Sequence, residues 1–401
     1  MTNATLSEET KTSRRRFLAA TAALAATTTM AAAAEARKYR VAVIGHTGRG
    51  DYGHGLDSVW LDIPEAAILA VADADEKGRA AAVARLKAGK GFADYRAMLD
   101  EVKPEFVSIG ARWLDQHRDM VVAAAERGVR GIYLEKPMCR TLEEADAMVA
   151  ACEKHNVKLA TAHQTRYSPK LKVVADLIGA GALGQVLEIR ARGKEDGRGG
   201  GEDLWVLGTH VFDLMAFYGG APKWCFARVT QGGRPIARAD IKPGAEGIGA
   251  LAGDEVHAMY GLERIPVGYF DSIRGAGAPV RWGIRIHGSK GIIEMGTNYL
   301  PPCFILQDPN WSPGQSGKGW APVSSAGIGA PEPIRNGTPH MGNVVAVRDL
   351  IAAVEADRPP IANIYTARTA VEMIVACFES QRQGQPVEIP LQNRKNPLEM
   401  L

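Results

Sequence analysis

Val41-Ala42-Val43-Ile44 runs straight into Gly45-His46-Thr47-Gly48-Arg49-Gly50, a pattern that reads as a buried parallel strand followed by a tight backbone turn. With a helix expected to begin near Asp51, backbone N–H groups and the helix dipole would converge on one spot. That spot suits an anion, most often a dinucleotide pyrophosphate. In a Gly-x-Gly-x-x-Gly register on 45, 47 and 50, Thr47 takes the second glycine position, so Gly48 is expected to supply the close backbone approach. A second apolar run, Ile68 to Ala72, ends in Asp73, 28 residues after Gly45, and this is the acid expected to hold an adenosine ribose. A carboxylate accepts from a free 2′-hydroxyl and repels a 2′-phosphate, which favours NAD over NADP, although Lys77 and Arg79 lie nearby.

Two further loops leave strands of the same kind. After the strand ending at Ile109 come Arg112, Trp113 and His117; after the strand ending at Leu134 comes Glu135-Lys136-Pro137. Ligands of open parallel sheets bind at the carboxyl ends of the strands, so Lys136 and a cofactor should share one edge.

The elements that must position these residues form an α/β pattern. Strands are expected near 41–44, 67–72, 106–109, 131–134 and 158–162, separated by helices over 74–88, 115–126 and 142–154, the last opened by a capping box at Thr141. This predicts a parallel sheet with helices on both faces over 37–163. A second domain over 164–401 begins with a helix capped by Ser168-Pro169 and a strand over 185–192. The glycine-rich stretch 193–203 reads as a mobile loop over a site, followed by one helix over 204–218. Strands near 223–230, 254–260, 264–273, 280–287 and 291–295 imply an open, mainly antiparallel sheet. Closing helices over 342–356 and 365–382 should pack back on the first domain.

The 401-residue chain is 46% hydrophobic, with a formal charge of +3, so neither nucleic acid nor an anionic membrane is implied as partner. Five scattered cysteines read as buried small hydrophobes, and nine histidines without a His-x-x-x-His pair argue against a metal site. Ser13-Arg14-Arg15-Arg16-Phe17-Leu18 and the Ala/Thr-rich stretch behind it predict a twin-arginine signal over 1–36, hence the twin-arginine export machinery as partner and a periplasmic destination.

Together these residues resemble the glucose-fructose oxidoreductase and inositol dehydrogenase (Gfo/Idh/MocA) family. The resemblance covers nearly all of 40–391 and rests on the glycine turn, Asp73, His117, Glu135-Lys136-Pro137, Arg166-Tyr167-x-Pro169 and Gly208-x-His210. It implies a Rossmann domain plus an α/β domain with an open sheet, a bound nicotinamide cofactor, a sugar or polyol substrate, and homo-oligomers joined through that sheet. By resemblance, Gly45, Thr47, Gly48, Arg49, Gly50, Asp73, Arg112, His117, Glu135 and Lys136 are cofactor residues, and Lys136 and His210 are catalytic. The family's aspartate four residues before the histidine is Val206 here. On a continuous helix Asp213 lies three residues beyond His210 on the same face and is expected to orient the imidazole instead. Arg166 and Tyr167 are expected near the substrate with His210, and Trp113, Tyr167 and Trp205 could stack on a sugar face.

The implied activity is NAD(P)-dependent oxidation of a secondary hydroxyl of a sugar, polyol or sugar derivative, with a tightly held cofactor. Two alternatives stay open: a redox-neutral glycosidase or lyase using transient oxidation, and a cofactor-binding protein without turnover.

Overall fold

The run Val41 to Ile44 is wholly buried, and it forms the end of β1 (Tyr39–Ile44) at the centre of a parallel sheet. The structure, a computed structural model, describes residues 38–277 and 281–401. The twin-arginine segment lies outside the described residues. From β1 the chain continues through β2 (Ala66–Ala72), α1 (Glu76–Leu86), β3 (Lys90–Phe92), α2 (Tyr95–Val102) and β4 (Phe106–Ile109). It then adds α3 (His117–Glu126), β5 (Gly131–Leu134), α4 (Leu142–Lys154) and β6 (Lys158–Thr161). The six strands lie in the order β3-β2-β1-β4-β5-β6. In register, Ile44 pairs with Ile109, Ile109 with Leu134 and Leu134 with Thr161, so the loops after these strands leave the sheet from one edge. The strand order reverses between β1 and β4, which opens a crevice at that edge.

One expected element is absent. No α-helix begins near Asp51; residues 46–57 are turns that lead to a 3-10 turn over Ser58–Asp62. The cause is local, because Gly48, Gly50, Gly53 and Gly55 all have φ between 64° and 86°, and Asp51 has φ 52°. A right-handed helix cannot pass through such a series.

After α5 (Pro169–Gly179), whose first turn is capped by the Ser168 side chain, β7 (Val186–Arg192) enters a second sheet. The expected single helix over 204–218 is two, α6 (Gly201–Val206) and α7 (Gly208–Gly219), interrupted at Leu207. The sheet is completed by β8 (Pro222–Gln231), β9 (Glu255–Leu262), β10 (Val267–Ile273), β11 (Gly283–Gly288), β12 (Gly291–Gly296), β13 (Cys303–Leu306), β14 (Ala321–Ser324) and β15 (Gly327–Ile328). Two helices follow, α8 (Pro339–Glu355) and α9 (Ile364–Gln383), and then β16 (Val387–Glu388). The order is β15-β14-β13-β12-β11-β7-β10-β9-β8-β16, and the two-residue strand Arg234–Pro235 adds to β8 as the eleventh strand. Only β7 and β10 among these pair in parallel.

One face of this sheet is covered by α7 and α9: Tyr260 on β9 donates to the Met373 carbonyl, and Ser380 accepts from the Ala227 amide. Alternate residues point the other way, and there Phe226, Arg228, Arg190, Arg285 and Phe304 are exposed. The closing helices also reach the first sheet. Tyr133 on β5 donates to Asn343 on α8 at 2.7 Å, and Asp146 on α4 pairs with Arg368 on α9.

Candidate active site

The turn after β1 folds onto itself. The His46 and Asp51 backbones exchange hydrogen bonds, the Arg49 amide donates to the His46 carbonyl, and the Gly48 amide donates to the Asp51 carboxylate. Asp73 receives the Thr47 amide at 3.1 Å, the Thr47 hydroxyl at 2.7 Å, the Tyr52 phenol at 2.8 Å and the Asp75 amide at 3.0 Å. Four donors fill the acceptor sites of one carboxylate. Asp73, 1% exposed, is therefore a clamp on the turn rather than the free ribose acceptor expected from sequence. Tyr52 takes the space of the missing helix, and a Cβ on Gly45 would overlap its ring.

Two clefts flank this turn. The first, about 500 Å³, opens between the ends of β1, β2 and β3 and the start of α3; Gly45, Ala72 and Met120 supply apolar wall and Asp73, Asp94 and Asp115 acidic wall. The second, about 530 Å³, lies between the parallel sheet and the second domain and takes in Lys136, His210, Arg112 and Trp282.

Lys136 Nζ donates to the Val206 carbonyl at 3.2 Å. The break at Leu207 makes this possible: the His210 amide bonds the Leu207 carbonyl, which leaves Val206 O to the lysine. Burial lowers the Lys136 pKa against the opposing pull of Glu135 and Glu246. Glu135 is itself sealed from solvent. Burial would raise its pKa, but the His54 side chain and amide, both 3.0 Å from Oε2, outweigh this and hold it at about 2.

His210 borders the second cleft with its ring edge-on to Trp282, 5.5 Å between centroids. Its Nδ1 is buried without a partner, as expected where Val206 replaces a carboxylate. Burial, with His163, Lys136 and His54 adding to it, takes its pKa well below that of a free imidazole. Asp213 does not orient His210, contrary to the expectation from helical spacing. Its Oδ1 accepts from Arg166 Nη1 at 3.1 Å and lies 3.9 Å from His163 Nδ1. The interruption at Leu207 removes Val206 from the helix carrying His210, and Arg166 reaches Asp213 from the segment before α5.

Other expected residues fall outside the second cleft. Trp205 is a buried core side chain on α6, Tyr167 receives the Ala362 amide on its phenolic oxygen, and Arg166 stacks on Phe217 besides holding Asp213. None of the three lines the cavity, so their substrate roles are corrected to packing and positioning. Trp113 is covered by the Arg49 guanidinium, 4.3 Å from the ring centroid, and Arg49 also pairs with Asp115. His117 is fully buried, its ring nitrogens facing the carbonyls of Ala111, Pro137 and Met138, so it ties two loops together without reaching a ligand. The stretch 193–203, expected to be a mobile loop, is anchored: Asp203 accepts from the Lys194 and Glu195 amides and from Ser272.

The cleft gains residues that sequence reasoning passed over: His54, Gln164, Arg198, Glu246, Trp282 and Asn298. Lys194 joins them, and only it and Arg198, inside a glycine-rich stretch, carried a local signal.

The chain matches two family models, the oxidoreductase family with an NAD-binding Rossmann fold over 39–163 and its C-terminal α/β domain over 176–389. It is 31% identical over 215 residues to a D-apiose dehydrogenase of Paraburkholderia graminis, 51% of this chain and 56% of that protein. It is 27% identical over 248 residues to a levoglucosan dehydrogenase of Pseudarthrobacter phenanthrenivorans, 56% of this chain and 63% of that protein. The matched stretches thus span between half and two thirds of these relatives. A levoglucosan dehydrogenase solved with NADH and L-sorbose shares the fold at a TM-score of 0.70 and 20% identity, over 88% of this chain and all of that one. With both domain models matched in order, the chain belongs to the Gfo/Idh/MocA oxidoreductase family.

Proposed function

We propose that the protein is an NAD-dependent oxidoreductase acting on a secondary hydroxyl of a sugar or sugar derivative. The observation that carries this reading is that Lys136 and His210 border the second cavity, beside the first, acid-walled cleft at the same sheet edge. The residues fit a dinucleotide. Buried polar atoms without partners sit along both clefts: Arg49 Nε and Asp115 Oδ1 near the turn, Arg112 Nε, Glu246 Oε2 and Trp282 Nε1 around the second cavity. Native proteins seldom leave such atoms unpaired, and a bound dinucleotide is one partner that would complete those beside the clefts. Since the turn spends the 46–49 amides internally, Arg49 is the group beside it suited to a pyrophosphate, whereas Arg112, expected at the cofactor from sequence, lines the second cavity. Asp73, Asp94, Asp115 and Asp119 around the first cleft, against Arg96 alone, favour a free 2′-hydroxyl over a 2′-phosphate, hence NAD over NADP.

When bound, the oxidised nicotinamide supplies the acceptor for the hydride that leaves the substrate carbon. His210, held neutral by burial, takes the hydroxyl proton. Lys136 stabilises the developing alkoxide as a cation. The reading extends to export: the Arg14-Arg15-Arg16 segment supports passage of the folded, cofactor-loaded protein by the twin-arginine route, and the exposed sheet face carrying Phe226 and Phe304 supports a homo-oligomer. Denaturing the purified protein and identifying the released nucleotide by mass and absorbance tests the cofactor. NAD or NADH in near-stoichiometric amount is expected; NADP, or no nucleotide together with no NAD binding, would reject it.

A further inference from the structure

The second cavity is cationic to a degree that a neutral sugar does not require. Arg112 leaves the loop after β4, Lys136 the loop after β5, and Lys194 and Arg198 the stretch after β7, and all four line the same space. Glu246 is the one carboxylate among the lining residues. Behind the wall, Asp196 pairs with Arg198 at 2.7 Å and with Lys194 at 3.5 Å. Glu135, which pulls on Lys136, also stands behind the wall, so the excess of positive charge belongs to the lining face itself. Arg112 and Glu246 are 3.8 Å apart, and each keeps a buried atom, Nε and Oε2, without a hydrogen-bond partner.

Resting on the oxidoreductase reading, we propose that the substrate carries a carboxylate: it is a sugar acid, held by Arg112, Lys194 and Arg198 while its hydroxyl is presented to Lys136 and His210. A low-dielectric cleft lined with one sign of charge concentrates the opposite charge. The guanidinium fork of Arg112 matches a carboxylate in geometry as well as charge, and a hydroxyl offers neither; Arg198, whose Nε and Nη2 are held by Asp196, adds its charge. Trp282 contributes an aromatic wall for the C–H groups of the sugar ring, with a buried, unpaired indole N–H beside it. A carboxylate also offsets the positive charge of an oxidised nicotinamide placed near Lys136.

The test uses the cofactor-loaded protein and matched sugars: glucuronate with glucose, galacturonate with galactose, and glucose 6-phosphate as the phosphate arm. Nicotinamide reduction gives kcat and KM, and calorimetry gives binding independently of turnover. The acid of a pair should exceed its neutral partner at least about tenfold in kcat/KM, the effect of one charge-assisted contact, and the preference should shrink as salt rises. Lys194→Gln and Arg198→Gln should raise KM for the acid more than for the neutral sugar. Equal use of acid and neutral sugar would overturn the proposal, as would a preference for the phosphate. Binding of the acid without nicotinamide reduction by any sugar would defeat the oxidoreductase reading yet support the anion site. Neither binding nor turnover with any acid would overturn the anion site.

Discussion

His210 has lost one neighbour and gained others. Without a carboxylate on Nδ1, its acid form is stabilised by nothing on that side, and burial among cations keeps it neutral. Its base form therefore persists below the pH at which a free imidazole, pKa about 6.5, takes up a proton. The acid limb of kcat/KM should lie below that value, and the alkaline limb, where Lys136 loses its proton, below about 10.4. A profile with both limbs at the free values would contradict these placements. Asp213→Asn should leave the acid limb unmoved, because Asp213 faces Arg166 and His163. It should instead destabilise the fold by about 3 kcal/mol, since it leaves the buried Arg166 guanidinium uncompensated. Denaturant titration beside the pH profile separates the two effects; a shifted acid limb with unchanged stability would restore Asp213 to the mechanism.

Among the elements, the turn after β1 holds by side chains what a helix would hold by backbone. Tyr52→Phe removes one donor from Asp73, and a hydrogen bond to a charged group is worth about 2 kcal/mol. A loss of that order in chemical denaturation, with weaker nucleotide binding, is expected; unchanged stability would show that Thr47 and Asp75 suffice. The longer strands of both sheets were legible because burial imposes apolar runs on β1, β4 and β5 and alternation on β9 and β10, whereas the short strands towards the edges, β3 and β13 to β16, were not expected. The turn was not. Gly48 and Gly50 announced a tight turn, but the positive φ at Gly53 and Gly55, which forbids a helix, was not readable locally: Gly53 lies against Glu135 and Gly110, from the loops after β5 and β4. The break at Leu207 carried no proline or glycine before it, and it frees the Val206 carbonyl for Lys136. Lys136 was legible from its place at a strand end, whereas Trp282 and Glu246 reach the cleft through tertiary packing alone.

On the scale of the whole molecule, two domains meet around a cavity to which each contributes: Lys136 from the first, His210 and Trp282 from the second. Replacing Arg14 and Arg15 by lysine should leave active, unprocessed protein in the cytoplasm, read by fractionation; processed enzyme in the periplasm would reject the export reading. The central claim is that Lys136 acts on substrate while the glycine turn and first cleft hold the cofactor. Its most direct measurement is nucleotide occupancy and sugar-dependent nicotinamide reduction in the same preparation of Lys136→Met. Occupancy close to that of the unaltered protein with turnover lost by about a hundredfold or more is predicted. Equal loss of nucleotide and turnover, or turnover left intact, would contradict it.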